Sequence, residues 1–574
     1  QPTTTMGMWP MLERVATWLA GLLLAWWALV ALVWVIGLQL IVPRLDDWRG
    51  PLQSMASWAL GVPVQVQRVA VHTDAVLPEL VLQQVVLGQG EQAPRAAEVR
   101  VTASWWSLLK LELASVQILA PEVTLAKDVQ GWSVVGLGAA PSASADSPWL
   151  TWVLARPLVA VQDGVLRWRV PATPGQAPAQ GQFNALNLRL SQQGRRVALS
   201  VQAHPAGRPQ TPWQVQLDAR VPLWPSDATQ WQAWTAQLYW QVQGLDWSRW
   251  RNHLGAWAQD PRLPSQGVGN GRGWADWRDG RWQQITTDVA MRNLRFVPAD
   301  ATEPLWLPTL QTRLTWQGQA LGGWQLRSQG LLFTWGAQQR WPGGDVAVDW
   351  QPANGQTPAQ LELSGQQLEL GAMLALAKPL GLTQALPSMW REAGLSGLLP
   401  DMRLRWQGAS VGAADWQLQA AFEQLAWRAN AQPWRPGVTG ATGRLEASAQ
   451  RVTLNLETRQ ATLALPGVWP SAQTFDELQG ELVWQPAPNG RWQVQTPGLR
   501  WASASGQGTW VGRWTGLPGE SGEVDLTLRD GGLNWPQFQA WLPQTWEPAQ
   551  PLAGLSGRLT DVQMTLKGAL PETL

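Results

Sequence analysis

Trp213-Gln214-Val215-Gln216-Leu217-Asp218-Ala219-Arg220-Val221 alternates apolar and polar side chains almost without a break. In an extended chain successive side chains point to opposite faces, so the run reads as a strand with one face to a core and one to water. The same beat returns in Pro63-Val64-Gln65-Val66-Gln67-Arg68-Val69-Ala70-Val71, in Leu238-Tyr239-Trp240-Gln241-Val242-Gln243 and in Trp492-Gln493-Val494-Gln495. Gly and Pro, at 55 and 43 copies, supply turns such as Trp341-Pro342-Gly343-Gly344 and Pro488-Asn489-Gly490-Arg491. The expected fold is mostly β and mostly antiparallel. By pattern, Trp213, Val215, Leu217, Leu238, Trp240, Val242, Trp492 and Val494 belong to the apolar side of the sheet.

Helical periodicity is confined to short stretches. Asp246 is placed to cap a helix carrying Trp247, Trp250, Leu254 and Trp257, and Asn534 one carrying Trp535, Phe538, Trp541 and Leu542 with Pro536 in its first turn. A third is expected over about 368–376, ending before Pro379. An internal repeat surrounds two of these places. Leu386-Pro387, Trp390, Gly394-Leu395-Ser396-Gly397, Asp401 and Gly408-Ala409 recur as Leu542-Pro543, Trp546, Gly554-Leu555-Ser556-Gly557, Asp561 and Gly568-Ala569, with four residues inserted in the second copy. A weaker copy runs from Gly244-Leu245-Asp246-Trp247 to Asn293-Leu294-Arg295-Phe296. Repetition on this scale implies units stacked along one axis.

The amino-terminal region has a different character. Between Arg14 and Arg44 there is no charged residue, and a helix over 15–42 would be roughly 40 Å long, more than the ~30 Å hydrocarbon core of a bilayer. A cleavable leader has an apolar region of only ~7 to 15 residues followed by small residues, whereas Pro43-Arg44-Leu45-Asp46-Asp47-Trp48-Arg49 follows here. The expected organisation is a cytoplasmic tail over 1–14, a single transmembrane anchor over 15–42, and a first β module over 43–135. A flexible linker rich in Gly, Ala and Ser follows over 136–148, then a repeated β region over 149–574. Pro171 to Gly181 is a smaller loop. The final Leu570-Pro571-Glu572-Thr573-Leu574 follows a strand-like run with no closing element, which suggests a piece of a longer chain.

Composition narrows the function classes. Lys plus Arg number 42 and Asp plus Glu 41, so the net charge is +1 and no nucleic-acid footprint is present. Cysteine is absent, which removes disulfides, thiolate catalysis and cysteine metal sites together. Tryptophan, at 44 copies against one Tyr and six Phe, is in part a product of GC-rich coding, so no single Trp is taken as a functional marker.

Several stretches together resemble the AsmA-like proteins of Gram-negative bacteria. They are the Pro43-Arg44 exit, Leu60-Gly61-Val62-Pro63-Val64, Pro78-Glu79-Leu80-Val81-Leu82-Gln83-Gln84-Val85-Val86-Leu87, Trp105-Trp106-Ser107-Leu108-Leu109, Ala120-Pro121-Glu122-Val123-Thr124-Leu125 and Asp128-Val129-Gln130-Gly131-Trp132. Through Arg156-Pro157, Asp163-Gly164-Val165-Leu166-Arg167-Trp168 and the Leu-Ser-Gly repeats, the chain looks most like the YhdP branch. The resemblance implies an anchor in the bacterial inner membrane. Beyond it comes a long periplasmic antiparallel sheet curled into a hydrophobic groove, passing phospholipid toward the outer membrane. On that reading the eight alternating residues named above line the lipid groove, and the partners are the inner-membrane bilayer, phospholipid and envelope proteins, with no nucleic acid. No cofactor and no enzymatic activity are expected. The rival reading is an envelope scaffold or assembly factor for outer-membrane proteins that carries no lipid. An unbroken apolar stripe across the strands favours the first, and a polar interior with an exposed edge favours the second.

Catalytic signals are weak. Gly408-Ala409-Ser410-Val411-Gly412 matches a nucleophile-elbow pattern, but the chain has only His72, His204 and His253 as bases, and the match reads as accidental. Gly267-Val268-Gly269-Asn270-Gly271-Arg272-Gly273 lacks the register of a phosphate cradle and reads as a loop between repeats. The three histidines have no acidic partners at ligand spacing, and Asp276-Trp277-Arg278-Asp279-Gly280-Arg281 reads as a charged turn rather than an acid–base pair. Arg44 and Arg49 read as interfacial side chains.

Overall fold

The computed structural model describes residues 21, 24–28, 49–72, 79–102, 115–128, 131–137, 157–171, 178–207, 210–221, 233–251, 253, 260, 263–297, 304–336, 339–355, 357–377, 393–408, 415–431, 435–466, 469–487, 490–517, 522–541, 554 and 556–569. The linker beyond Leu137, the repeat blocks 386–390 and 542–546, Ser410, Leu254 and Trp257 lie outside these residues, as do the last five. Of the expected anchor only Gly21 and residues 24–28 are described; they are helical, with Leu24, Trp26 and Trp27 61–70% exposed. No helix among the described residues is long and apolar enough to cross a membrane.

The chain forms two compact units, the first Gln1–Trp240 with Arg278–Gly280 and the second Gln241–Trp277 with Arg281–Leu574. The first begins with helix α1 (Arg49–Leu60) and continues with β1 (Val64–Gln65), β2 (Arg68–His72), β3 (Glu79–Leu87), β4 (Arg95–Thr102) and β5 (Ser115–Asp128). β6 (Gly131–Val134), β7 (Leu158–Val170), β8 (Ala179–Gln193), β9 (Arg196–Pro205), β10 (Trp213–Arg220) and the start of β11 (Thr235–Asp246) follow. The run at 63–71 is therefore two strands, not one, each paired with β3. Their break falls at Val66 and Gln67, where the Gln67 amide bonds to the Gln83 carbonyl. From β3 the pairing runs β4, β5, β7, β8, β9, β10. All these pairs are antiparallel except β5 with β7, which run parallel on either side of the linker.

The second unit contains β12 (Gln266–Arg278), β13 (Arg281–Phe296), β14 (Leu305–Gly318), β15 (Trp324–Trp335), β16 (Gln339–Arg340), β17 (Val346–Gln351), β18 (Ala359–Glu369) and β19 (Ser396–Gly408). It continues with β20 (Asp415–Trp427), β21 (Gly437–Ser448), β22 (Val452–Ala464), β23 (Gln473–Pro486), β24 (Trp492–Ser503), β25 (Gly506–Gly516), β26 (Glu523–Asn534) and β27 (Arg558–Ala569). From β13 to β15, and then from β17 to β27, each strand pairs antiparallel with the next; the short β16 hairpins onto β15, which then pairs with β17. The result is a long, curled sheet that does not close.

The helices mark the repeat. α2 (Trp247–Trp250), α3 (Leu370–Ala377) and α4 (Trp535–Phe538), the last followed by the 3-10 turn Gln539–Trp541, each follow directly on a strand end, β11, β18 and β26. Asp246 caps α2 as expected, its carboxylate accepting from the Ser248 amide at 3.1 Å. The Glu369 carboxylate accepts from the Gly371 and Ala372 amides at the start of α3. Asn534 does not cap α4 with its side chain, which instead donates to the Gln537 side chain; Pro536, lacking an N–H, has already removed one amide that needed a partner. Around α4 the rings of Phe475, Trp501, Phe538 and Trp469 lie 5.1–5.6 Å from Trp541, and Trp501 is 1% exposed. This aromatic cluster fills the edge of the sheet at which the helices sit.

The glycine-rich segment 267–273 is a strand, β12, and not the expected loop. Its glycines meet close neighbours: a Cβ on Gly267 would lie 2.6 Å from a Leu294 methyl, and one on Gly269 would overlap the Met291 sulfur. Glycine here admits larger side chains from β13. Within the charged segment 276–281 the turn is the two residues between β12 and β13: Asp279 and Gly280 both have positive φ, 52° and 74°, the handedness that suits a two-residue hairpin, while 276–278 and 281 belong to the strands.

Many strands also carry a left-handed residue that breaks alternation once. Asp163, Asn293, Gln367, Gln424, Gln460 and Asp530 have φ of 50–58°. On either side, positions on the core-facing side step by three rather than two: Val161 to Gly164, Phe422 to Leu425, Thr458 to Ala461 and Leu528 to Gly531. An inserted residue of this kind bends the strand and increases its twist. Asn and Asp tolerate the conformation, but Gln and β-branched residues are strained in it. Gln460→Val is expected to cost about 1–2 kcal/mol and Gln460→Gly to cost nothing or to stabilise, read as thermal unfolding midpoints.

Candidate functional site

Directly opposed residues in a strand pair share a face, so following the register across the sheet identifies a continuous surface. In the first unit Val71, Leu80, Val101, Val116, Val159, Leu190, Leu199 and Leu217 lie opposite one another in succession over eight strands. A second row, two residues along, is Val69, Leu82, Val99, Ile118, Val161, Leu188, Val201 and Val215. Neither row contains a polar side chain. Between them on the other face run Ala70 and the buried Val81, then Arg100, Gln117, Ala160, Arg189, Ser200 and Gln216.

The second unit does the same at greater length. Ile285, Trp316, Leu326, Val348, Leu363, Leu404, Leu418, Ala447, Val452, Trp484, Val494, Trp514 and Val524 form one row through thirteen strands, each residue the register partner of the next. One residue away on the opposite face the partners are Gln284, Gln317, Gln325, Asp349, Glu362, Arg405, Gln417 and Ser448. The apolar row is half-buried along its length until Val524, which is 7% exposed. Nearer the helices, the same face is closed by Leu294, Phe333, Leu368, Phe422, Phe475 and Trp501, all under 10% exposed. A face that is filled at one side and half-open along the other is a groove, and its half-open part leaves apolar surface in contact with solvent over many strands. Soluble proteins rarely leave such continuous apolar surface uncovered without a partner for it.

The sequence-derived lining residues fall as follows. Val215 and Leu217 are in the apolar rows of the first unit, and Trp213 is the next position on that face, its ring 5.4 Å from that of Phe183. Leu238, Trp240 and Val242 are half-buried on one face of β11, the face on which Ala236 packs against the cluster containing Ala219. Val494 is in the thirteen-strand row, and Trp492 lies two residues along, opposite Pro486 and Gly516. Sequence reasoning missed most of the row, including Leu326, Val348, Leu363 and Leu404. Their signal was available as alternation in Trp324-Gln325-Leu326-Arg327, Val346-Ala347-Val348-Asp349-Trp350, Gln360-Leu361-Glu362-Leu363-Ser364 and Met402-Arg403-Leu404-Arg405-Trp406.

Tryptophans gather beside this row. Trp324 opposes Trp350, Trp406 opposes Trp416, and the Trp350 and Trp406 rings stack at 6.4 Å across the intervening Leu361. The buried Trp406 indole N–H has no acceptor. A buried donor left without a partner costs about 1–3 kcal/mol.

The outer face is held by exposed ion pairs. Asp288 accepts from Arg313 (2.5 and 2.9 Å) and from Arg272 (2.9 Å), and Glu362 lies 3.2 Å from both Arg403 and Arg405. Pairs this exposed contribute little each, so the apolar face dominates the energetics. Among the described residues no group of three or more His, Cys, Asp or Glu is placed to hold a metal ion.

A family model described as YhdP protein matches residues 6–573. No curated protein matches the chain.

The Arg313 hydrogen bond, helped by Arg272, holds the Asp288 carboxyl down at about 2. A lowered folded-state value means the contribution is complete above the ordinary carboxylate value near ~4 and is lost as pH falls toward 2. Asp288→Asn is therefore expected to lower the unfolding midpoint modestly at pH 7, with the difference from the parent shrinking between pH 4 and pH 2.

Proposed function

The chain belongs to the YhdP family, an envelope-associated family, and from that premise we propose that it carries phospholipid along its apolar face. It is anchored in the inner membrane by residues 15–42 and extends into the periplasm toward the outer membrane. The observation that carries this reading is the unbroken apolar row through thirteen strands. Acyl chains lie along the row while headgroups remain at the half-open side. Each methylene removed from water contributes ~0.8 kcal/mol, so the cost of leaving the bilayer is offset at every step along a continuous track and a polar interruption would raise a barrier. No catalytic step is assigned; the protein acts as a conduit, not an enzyme.

Photo-crosslinking side chains placed in turn at Val215 and Gln216 test the lining directly. Phospholipid is expected to be captured from Val215, which is in the apolar row, and not from Gln216 on the other face. Equal capture from both, or none from either, would move the assignment to an envelope scaffold without lipid.

A second test interrupts the track. Val494→Asp places a carboxylate in the row at a half-buried position, and the comparison is made on variant protein whose circular dichroism spectrum matches the parent's. Lipid transfer between donor and acceptor vesicles is expected to fall at least ~10-fold, the equivalent of ~1.4 kcal/mol on the barrier. Gln493→Asp, on the opposite face, is expected to leave transfer within twofold.

A further inference from the structure

Helix α1 carries apolar side chains on two faces. Leu52, Ala56 and Leu60 pack on the cluster formed by Val64, Val66, Val69, Val85 and Ala96. Two hydrogen bonds fix this docking: the Gln53 side-chain amide donates to the Val66 carbonyl at 3.0 Å, and the Val64 amide donates to the Ser57 hydroxyl at 2.9 Å. The helix therefore has little freedom to roll, and its other face is set outward. That face carries Pro51, Met55 and Trp58 at helical spacing, with Met55 64% and Trp58 86% exposed. An indole this exposed, on a face with no acidic residue, has no stabilising partner in water. Met55 and Trp58 are among the most exposed large apolar side chains of the described residues.

Position in the chain identifies what covers this face. The expected anchor ends at Val42, and seven residue steps lead to Arg49, a reach of at most roughly 25 Å even if fully extended. A helix tethered that closely to a bilayer span stays at the membrane surface, where tryptophan is favoured and where an amphipathic helix lies flat with its apolar side in the headgroup layer. We infer that α1 is an interfacial helix whose Pro51, Met55 and Trp58 face dips into the lipid headgroup layer, seating the start of the apolar rows on the bilayer. The inner face of α1 packs beside Leu80, Leu82, Val99 and Ile118, which belong to those rows. The helix thus lies between the membrane surface and the first strands of the track, and a lipid leaving the bilayer passes its edge. This inference rests on the anchored reading of residues 15–42.

The absence of cysteine allows a clean test on the full chain. Met55→Cys and, as a control on the polar face of β9, Ser200→Cys are labelled with a nitroxide. Both are reconstituted into vesicles of phosphatidylethanolamine and phosphatidylglycerol, and accessibility to oxygen is compared with accessibility to a water-soluble nickel chelate. The oxygen-to-nickel ratio at position 55 is expected to be at least ~5-fold above that at position 200, and to fall several-fold when Trp58→Asp is added while the protein still floats with the vesicles. Equal ratios at the two positions in a protein that floats would overturn the interfacial helix and leave the anchor intact. Failure of the parent chain to float would overturn the anchor and the inference with it.

Discussion

The structure depends on keeping one face of its sheet apolar from strand to strand. A single antiparallel layer has no second sheet to cover it, so the only ways to take that face out of water are to curl the sheet, to insert short helices, or to bind something apolar. This chain uses the first two and, as the proposed phospholipid conduit, the third. α3, α4 and the ring cluster around Trp541 close one side of the face in the second unit, whereas the row from Ile285 to Trp514 stays half-open. The outer ion pairs, such as Asp288 with Arg272 and Arg313, are exposed and arrange the surface more than they stabilise it.

Curling conflicts with alternation, because a bend that adds one residue turns every later side chain to the wrong face. The left-handed residues resolve the conflict. Where Asn293 or Gln424 is inserted, the apolar positions step by three, Met291 to Leu294 and Phe422 to Leu425, and the face is preserved through the bend. The close approach of β12 to β13 is handled by glycine in place of a side chain. Both devices serve the same end, a surface that bends without losing its apolar lining.

Much of this was legible in the sequence because period-two alternation is a local property that survives into the structure, as at 213–220 and 492–495. The α2 start at Asp246 and the Asp279-Gly280 turn were legible for the same reason, because caps and turn residues act over four or five positions; α3 and α4 were legible from apolar spacing, Asn534 not capping with its side chain. The parallel pairing of β5 with β7 was not legible, because strand partnership across a linker leaves no local mark. Segment 267–273 was misread because its glycines report on the bulk of Leu294 and Met291, distant in sequence. The candidate site was legible only in samples. Val215 and Val494 stood out in long clean alternations, but continuity of the row is a property of register, which thirteen separate strands do not reveal one by one.

A conduit of the proposed kind holds phospholipid along its continuous apolar face. The most direct measurement is quantitative lipid mass spectrometry on the full chain, purified in a detergent that exchanges slowly and normalised to protein. A phospholipid conduit is expected to retain more than one phospholipid per chain, an amount reduced by Val494→Asp and unchanged by Gln493→Asp. Purification of correctly folded protein with no stoichiometric phospholipid, or with the same amount in both variants, would contradict it.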